Sequence, residues 1–93
     1  MIASFADGGT AKLAENQRVR KLIPVERVAL RKLRQLQAAG SLSDIAVPPG
    51  NRLELLKGER RGQWSMRVND RFRLCFRWGE GQAYGVEIVG YHG

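Results

Sequence analysis

The chain has one cysteine and one histidine in 93 residues. Cys75 has no partner for an internal disulfide, and one Cys with one His does not fill the four-ligand shell of a structural zinc. No metal and no cofactor are expected, and a reducing cytoplasm is the expected compartment. Long apolar runs are missing too: nothing approaches the roughly 20 residues that a membrane span needs. The opening Met1-Ile2-Ala3-Ser4-Phe5-Ala6-Asp7-Gly8-Gly9 lacks the basic flank and apolar stretch of a signal peptide. The expectation is a soluble, cytoplasmic protein with no membrane partner. Repeats and low-complexity segments are absent, and the length allows one domain, residues 1–93, around a single modest core. Acid is also scarce, with 9 Asp and Glu against 16 Lys and Arg, a formal charge of +7. That excess points to a polyanionic partner, most often nucleic acid, although an acidic protein fits equally well.

What is present divides the chain in two. In the first half, Ile2 to Phe5 reads as a short strand ended by Asp7-Gly8-Gly9, and Thr10 is placed as the N-cap of a weak helix reaching about Gln17. Pro24 to Ala39 reads as a helix closed by Gly40. Val25, Ala29, Leu33 and Leu36 form its apolar stripe, and Arg27, Arg31 and Arg34 lie opposite. Ser41-Leu42-Ser43-Asp44 starts one further helical turn anchored by Leu42 and Ile45, and Pro48-Pro49-Gly50 forces an extended turn into the second half.

The second half alternates. Arg52 to Leu56, Gln63 to Val68, Phe72 to Trp78 and Gln82 to Val89 read as strands. With period two, Trp64, Met66 and Val68, then Phe72, Leu74, Phe76 and Trp78, then Tyr84, Val86 and Ile88, share one buried face. A three-residue Asn69-Asp70-Arg71 loop keeps these sets opposed, setting Met66 against Leu74. A Gly79-Glu80-Gly81 loop would set Phe76 against Tyr84 and Leu74 against Val86. The other face then carries Arg67 opposite Arg73, Ser65 opposite Cys75, and Arg73 opposite Glu87. Two arginines directly across a ladder repel unless an anion lies between them, which marks a phosphate site. Lys57-Gly58-Glu59-Arg60-Arg61-Gly62 borders that face without Walker spacing and with no helix after it, so a lysine brought to a phosphate is expected in preference to a nucleotide P-loop.

These residues resemble a family. The stretches Arg52-Leu53-Glu54-Leu55-Leu56-Lys57-Gly58-Glu59-Arg60, Gly62-Gln63-Trp64-Ser65-Met66-Arg67-Val68-Asn69-Asp70-Arg71-Phe72-Arg73, and Val86-Glu87-Ile88-Val89-Gly90-Tyr91-His92 look like a HigB-type toxin of the RelE/ParE toxin–antitoxin superfamily. The resemblance implies an α+β fold, a twisted antiparallel sheet with two N-terminal helices packed on one face, in the RelE-like arrangement. It also implies a ribosome-dependent endoribonuclease acting on mRNA in the ribosomal A site. Lys57, Arg73, Tyr91 and His92 match the family's active-surface residues. A HigA-like helix-turn-helix antitoxin is the implied partner, in a heterotetramer that binds operator DNA through the antitoxin.

Two positions depart from the family pattern: Glu54 stands where some relatives carry histidine, and Gly90 stands where an aspartate usually precedes the terminal Tyr-His. Metal-free RNA cleavage uses the substrate's 2′-hydroxyl as nucleophile. On that chemistry Lys57 and Arg73 are expected to stabilise charge, His92 to act as general acid or base, Glu54 as the complementary base, and Tyr91 to stack on a base. Arg60, Arg61, Arg67 and Arg71 are the expected RNA-binding cations. The alternatives are a ParE-like non-enzymatic inhibitor of gyrase and a catalytically weakened RNA-binding relative.

Overall fold

A computed structural model describes residues 1–90. Its elements, in chain order, are helix α1 (Gly8–Ala14), helix α2 (Glu26–Ala38), the short helix α3 (Leu42–Ala46), and strands β1 (Glu54–Leu55), β2 (Trp64–Arg67), β3 (Phe72–Gly79) and β4 (Gln82–Gly90). The strands form one antiparallel sheet in the order β1-β2-β3-β4. This is the expected α+β architecture. The stripe of α2 is buried as the periodicity requires: Val25, Ala29, Leu33 and Leu36 join Leu13, Leu22 and Ile45 against Met66, Leu74, Phe76 and Val86 of the sheet. Arg27, Arg31 and Arg34 are exposed on the opposite side of α2.

Several boundaries differ from expectation. Asp7 is the N-cap of α1, its Oδ2 accepting from the Thr10 amide at 3.1 Å. Thr10 is instead fully buried, and its Oγ1 accepts from the Ile88 amide at 3.0 Å. The helix stops at Ala14, with Asn16 in the left-handed region at φ 65°, a conformation Asn tolerates. Pro24 lies inside a 3₁₀ stretch, Arg20–Val25, that leads into α2. The strand expected over Arg52 to Leu56 shrinks to two residues, because the Pro49–Asn51 turn ends in Arg52 with φ 43° and only Glu54 and Leu55 align with β2.

That turn is anchored by Asn51, which is fully buried yet satisfied. Its Nδ2 donates to the Ile45 carbonyl at 2.9 Å and to Gln35 Oε1 at 3.2 Å, while Lys32 Nζ donates to its Oδ1. A buried amide with its partners in place fixes the relation of α2, α3 and the turn, since any shift would strand a polar group in the core. Burial, then the nearby Arg31 and Arg67, lowers the Lys32 pKa from its ordinary value.

The β2–β3 register is the expected one: Met66 faces Leu74, Ser65 faces Cys75 and Arg67 faces Arg73. The β3–β4 register is not. A two-residue Glu80-Gly81 turn, both residues at positive φ as such hairpin turns require, pairs Gly79 with Gln82 and Arg77 with Tyr84. The pairing then slips: Cys75 meets Glu87, Leu74 meets Ile88 and Arg73 meets Val89. Between the Arg77–Tyr84 and Cys75–Glu87 pairs β3 supplies only Phe76, whereas β4 supplies Gly85 and Val86. Gly85, at φ 60°, accommodates this bulge. As a result Ala83 and Val86 are both buried while Tyr84 turns outward, and Arg73 does not face Glu87.

Residues 2 and 5 pair in parallel with Ala83 and Val86 of β4. Amides along that edge of β4 are thereby occupied. Val86 donates to the Ser4 carbonyl, Gly85 to Ser4 Oγ at 2.8 Å and Ile88 to Thr10. Among the described residues no helix is long and apolar enough to cross a membrane.

Candidate active site

The helices cover one face of the sheet, and the other carries the charged residues. On that outer face β1 contributes Glu54, β2 Ser65 and Arg67, β3 Arg73, Cys75 and Arg77, and β4 Tyr84, Glu87 and Val89, as the ladder pairs require. Ser65 and Cys75, at its centre, are as dry as the core, at 0% and 1% exposure. Burial raises the Cys75 thiol pKa, outweighing the pull of the neighbouring Arg60 and Arg73, so the thiol is protonated at neutral pH.

Arg73 extends across this centre with its side chain 17% exposed. Its Nη1 donates to Ser65 Oγ at 2.7 Å and its Nη2 to Glu54 Oε1 at 3.4 Å. Two nitrogens of one planar guanidinium are thus held by residues from two other strands, which restricts the fork to one orientation on the face. Glu54 is exposed, on the side of β1 that the alternation predicts, and it meets Arg73 because Glu54 pairs with Ser65 in the ladder.

Arg60 reaches the same face from the loop between β1 and β2. The 3₁₀ turn Gly58–Arg60 directs it so that one nitrogen donates to Gln63 Oε1 at 3.1 Å and to Glu87 Oε1 at 2.8 Å. Cys75 pairs with Ser65 on one side and Glu87 on the other, so the Arg73 guanidinium on Ser65 and the Arg60–Glu87 pair flank the same thiol. Lys57 is exposed and begins the turn that carries Arg60; Arg61 is exposed at its end. Arg67, directly across the ladder from Arg73, is held by Asp70 in an i,i+3 ion pair that lowers the Asp70 pKa. Arg71 is exposed in the β2–β3 turn, where Asn69 Oδ1 accepts from the amides of Arg71 and Phe72.

The structure therefore brings together Glu54, Arg73 and Arg60, and engages Arg67 in a local pair. Lys57, Arg61 and Arg71 stay on exposed turns. Tyr91 and His92 lie outside the described residues; Gly90, which precedes them in sequence, pairs with Phe72 beside the Arg73–Val89 pair. Sequence reasoning did not anticipate three contributors: the Ser65 hydroxyl, the Glu87–Arg60–Gln63 group and outward-facing Tyr84. Glycine inside a strand is a bulge signal, and Gly85 is the sequence feature that announces the last of them.

An antiparallel sheet with helices packed on one face and charged residues on the other is consistent with a RelE-like fold. The family described as the RelE-like toxin of the type II toxin–antitoxin system HigB matches residues 3–92, and the chain belongs to it. It is a toxin of a type II toxin–antitoxin system, with an antitoxin as its partner. The sequence is 41% identical to Toxin HigB-1 of Vibrio cholerae serotype O1 over 90 residues, which is 95% of each chain. It is also 36% identical to an uncharacterized protein of Haemophilus influenzae over 52 residues, 56% of this chain and 52% of that one.

Proposed function

We propose that this toxin is a metal-independent endoribonuclease that cuts mRNA in the ribosomal A site, halting translation and growth in the cytoplasm until a HigA-like helix-turn-helix antitoxin neutralises it. The toxin and antitoxin would form a heterotetramer that binds operator DNA through the antitoxin. The observation that carries the reading is the fixed Arg73 guanidinium, held on an accessible sheet face by Ser65 and Glu54 with Arg60 alongside.

In the reaction, the 2′-hydroxyl loses its proton to a base and its oxygen bonds to the adjacent phosphorus. The P–O5′ bond then breaks, and the leaving 5′-oxygen takes a proton. The products are a 2′,3′-cyclic phosphate and a 5′-hydroxyl, and the pentavalent species between them carries added negative charge. Arg73 is the group assigned to that charge, because a guanidinium already oriented costs no reorganisation as charge develops. Lys57, on the exposed rim, serves the same phosphate, and Arg60, Arg61, Arg67 and Arg71 hold the flanking backbone. Glu54 is the base in this reading, which its contact with the Arg73 guanidinium supports: a phosphate gripped by Arg73 would bring its neighbouring 2′-hydroxyl to that carboxylate. His92 supplies the leaving-group proton and Tyr91 stacks on a base.

The test is cleavage of mRNA on translating ribosomes by the wild type and by Arg73→Ala, Lys57→Ala and a chain lacking His92. Cleavage by the wild type and its loss in the variants is expected. Undiminished cutting by all three would remove the assignment, and inhibition of DNA supercoiling in place of cleavage would move the toxin to the gyrase-inhibiting branch.

A further inference from the structure

The β4 bulge re-aims one side chain onto the outer face, and this has a functional reading that rests on the ribonuclease proposal. Tyr84 is the most exposed aromatic residue among those described, at 38%. It pairs across the ladder with Arg77, also exposed, and its hydroxyl donates to Gln82 Oε1 at 3.2 Å. An unbulged strand would send Tyr84 into the core with Val86; the extra residue at Gly85 lets Ala83 and Val86 both pack inward and leaves the ring outside. Bulges are found near functional sites because they redirect one side chain in this way.

Arg77 passes close to Gly62. A Cβ at Gly62 would come within 2.7 Å of Arg77 Nη1, so the guanidinium lies over this residue, whose φ of 90° favours glycine. Gly62 closes the loop that carries Arg60 and Arg61. Arg73, Cys75 and Arg77 alternate along one side of β3, which puts the two arginines about 13 Å apart at ~3.3 Å per residue. The Arg60–Glu87 pair bridges the interval, since Glu87 pairs with Cys75 between them.

We infer that Arg77 and Tyr84 form a second subsite on this face, which takes a nucleotide flanking the cleaved bond of single-stranded RNA. The base stacks on the Tyr84 ring and the phosphate lies on Arg77. A planar ring beside a cation suits a base and its phosphate without selecting sequence. An acidic protein segment would use the cation and leave the ring idle.

The experiment measures binding of uncleavable RNA carrying a 2′-deoxy sugar at the scissile position, as a dinucleotide and as versions extended by two nucleotides on either side. Tyr84→Ala should weaken an extended oligonucleotide about tenfold and leave the dinucleotide unchanged, Tyr84→Phe should bind like the wild type, and Arg77→Ala should lower the salt slope by about one. Poly-glutamate of matched charge should bind Tyr84→Ala and wild type alike. If the wild type binds extended and short RNA equally, if Tyr84→Ala weakens both alike or neither, or if it weakens poly-glutamate as much as RNA, the subsite is overturned. Parallel ribosome assays with Arg73→Ala separate the two readings. Cleavage that depends on Arg73 with no effect of Tyr84→Ala sinks the subsite alone, and Tyr84-dependent binding without any cleavage sinks the enzyme alone.

Discussion

The two faces of the sheet reach the same dryness by opposite means. On the inner face Met66, Leu74, Phe76 and Val86 are sealed by the apolar stripes of the helices. On the outer face Ser65 and Cys75 are equally buried, but the groups around them are Arg73, Arg60, Glu87 and Glu54, with the Arg73 guanidinium itself lying over the centre on Ser65. One face contributes stability through area removed from water. The other holds cations in fixed positions around a small, partly desolvated patch, where charge interactions are stronger than in bulk water.

That contrast is sharpest if the two faces can be damaged separately. Phe76→Ala, which empties the centre of the inner face, should cost about 3–5 kcal/mol of unfolding free energy in urea denaturation and reduce activity only by depleting folded protein. Arg73→Ala should lower ribosomal mRNA cleavage about 10²–10³-fold, since an oriented charge is lost from the reacting phosphate. Its stability cost should be smaller, about 1–3 kcal/mol, from the Ser65 hydroxyl left buried. A variant that loses stability and cleavage in the reverse proportion would erase the division of labour between the faces.

Gly85→Ala tests the bulge. Nothing lies within 4 Å of the new Cβ, so the cost is that of a left-handed backbone, about 1–2 kcal/mol, visible as a lower denaturation midpoint with the fold kept. The smallest effect belongs to pH. The fold raises the Cys75 pKa, so its contribution is fully present below the ordinary thiol value of 9.0 and is lost as pH climbs through the higher folded value. Stability should therefore fall on the alkaline side of pH 9, and Cys75→Ala should flatten that decline. Asp70 works in the other direction. Arg67 depresses its pKa, so its contribution holds above 3.8 and disappears as acid takes the pH through the lower folded value; Asp70→Asn should remove that part of the acid transition.

Much of this architecture was legible because a half-buried sheet enforces period two. The β2–β3 register followed from requiring Met66 and Leu74 to share a face, and the same requirement placed Ser65 against Cys75 and Arg67 against Arg73. The β4 register was misread for the same reason: Tyr84, Val86 and Ile88 alternate as a regular strand would, and one extra residue reverses the face of everything before it. Asp7 was overlooked as a cap because Gly8 and Gly9, poor helix formers, follow it, while Thr10 offered a conventional start. Asn51 carries no sequence signal, since its satisfaction depends on Lys32 and Gln35 of α2 and on the Ile45 carbonyl, which only the folded turn brings together. Within the candidate site, charge and alternation pointed to Arg73 and Glu54. Composition marks Arg60 as a cation, but its carboxylate partner is hidden, because a regular β4 sets Glu87 opposite Arg73 and only the bulge brings it to Cys75.

The parallel pairing of residues 2 and 5 with Ala83 and Val86 has a consequence for the order of folding. Ser4 and Gly85, joined there, are 81 residues apart, and closing a loop of that length costs more chain entropy than closing the local hairpins. The opening segment therefore docks on β4 after the local hairpins have formed, as a late step in folding.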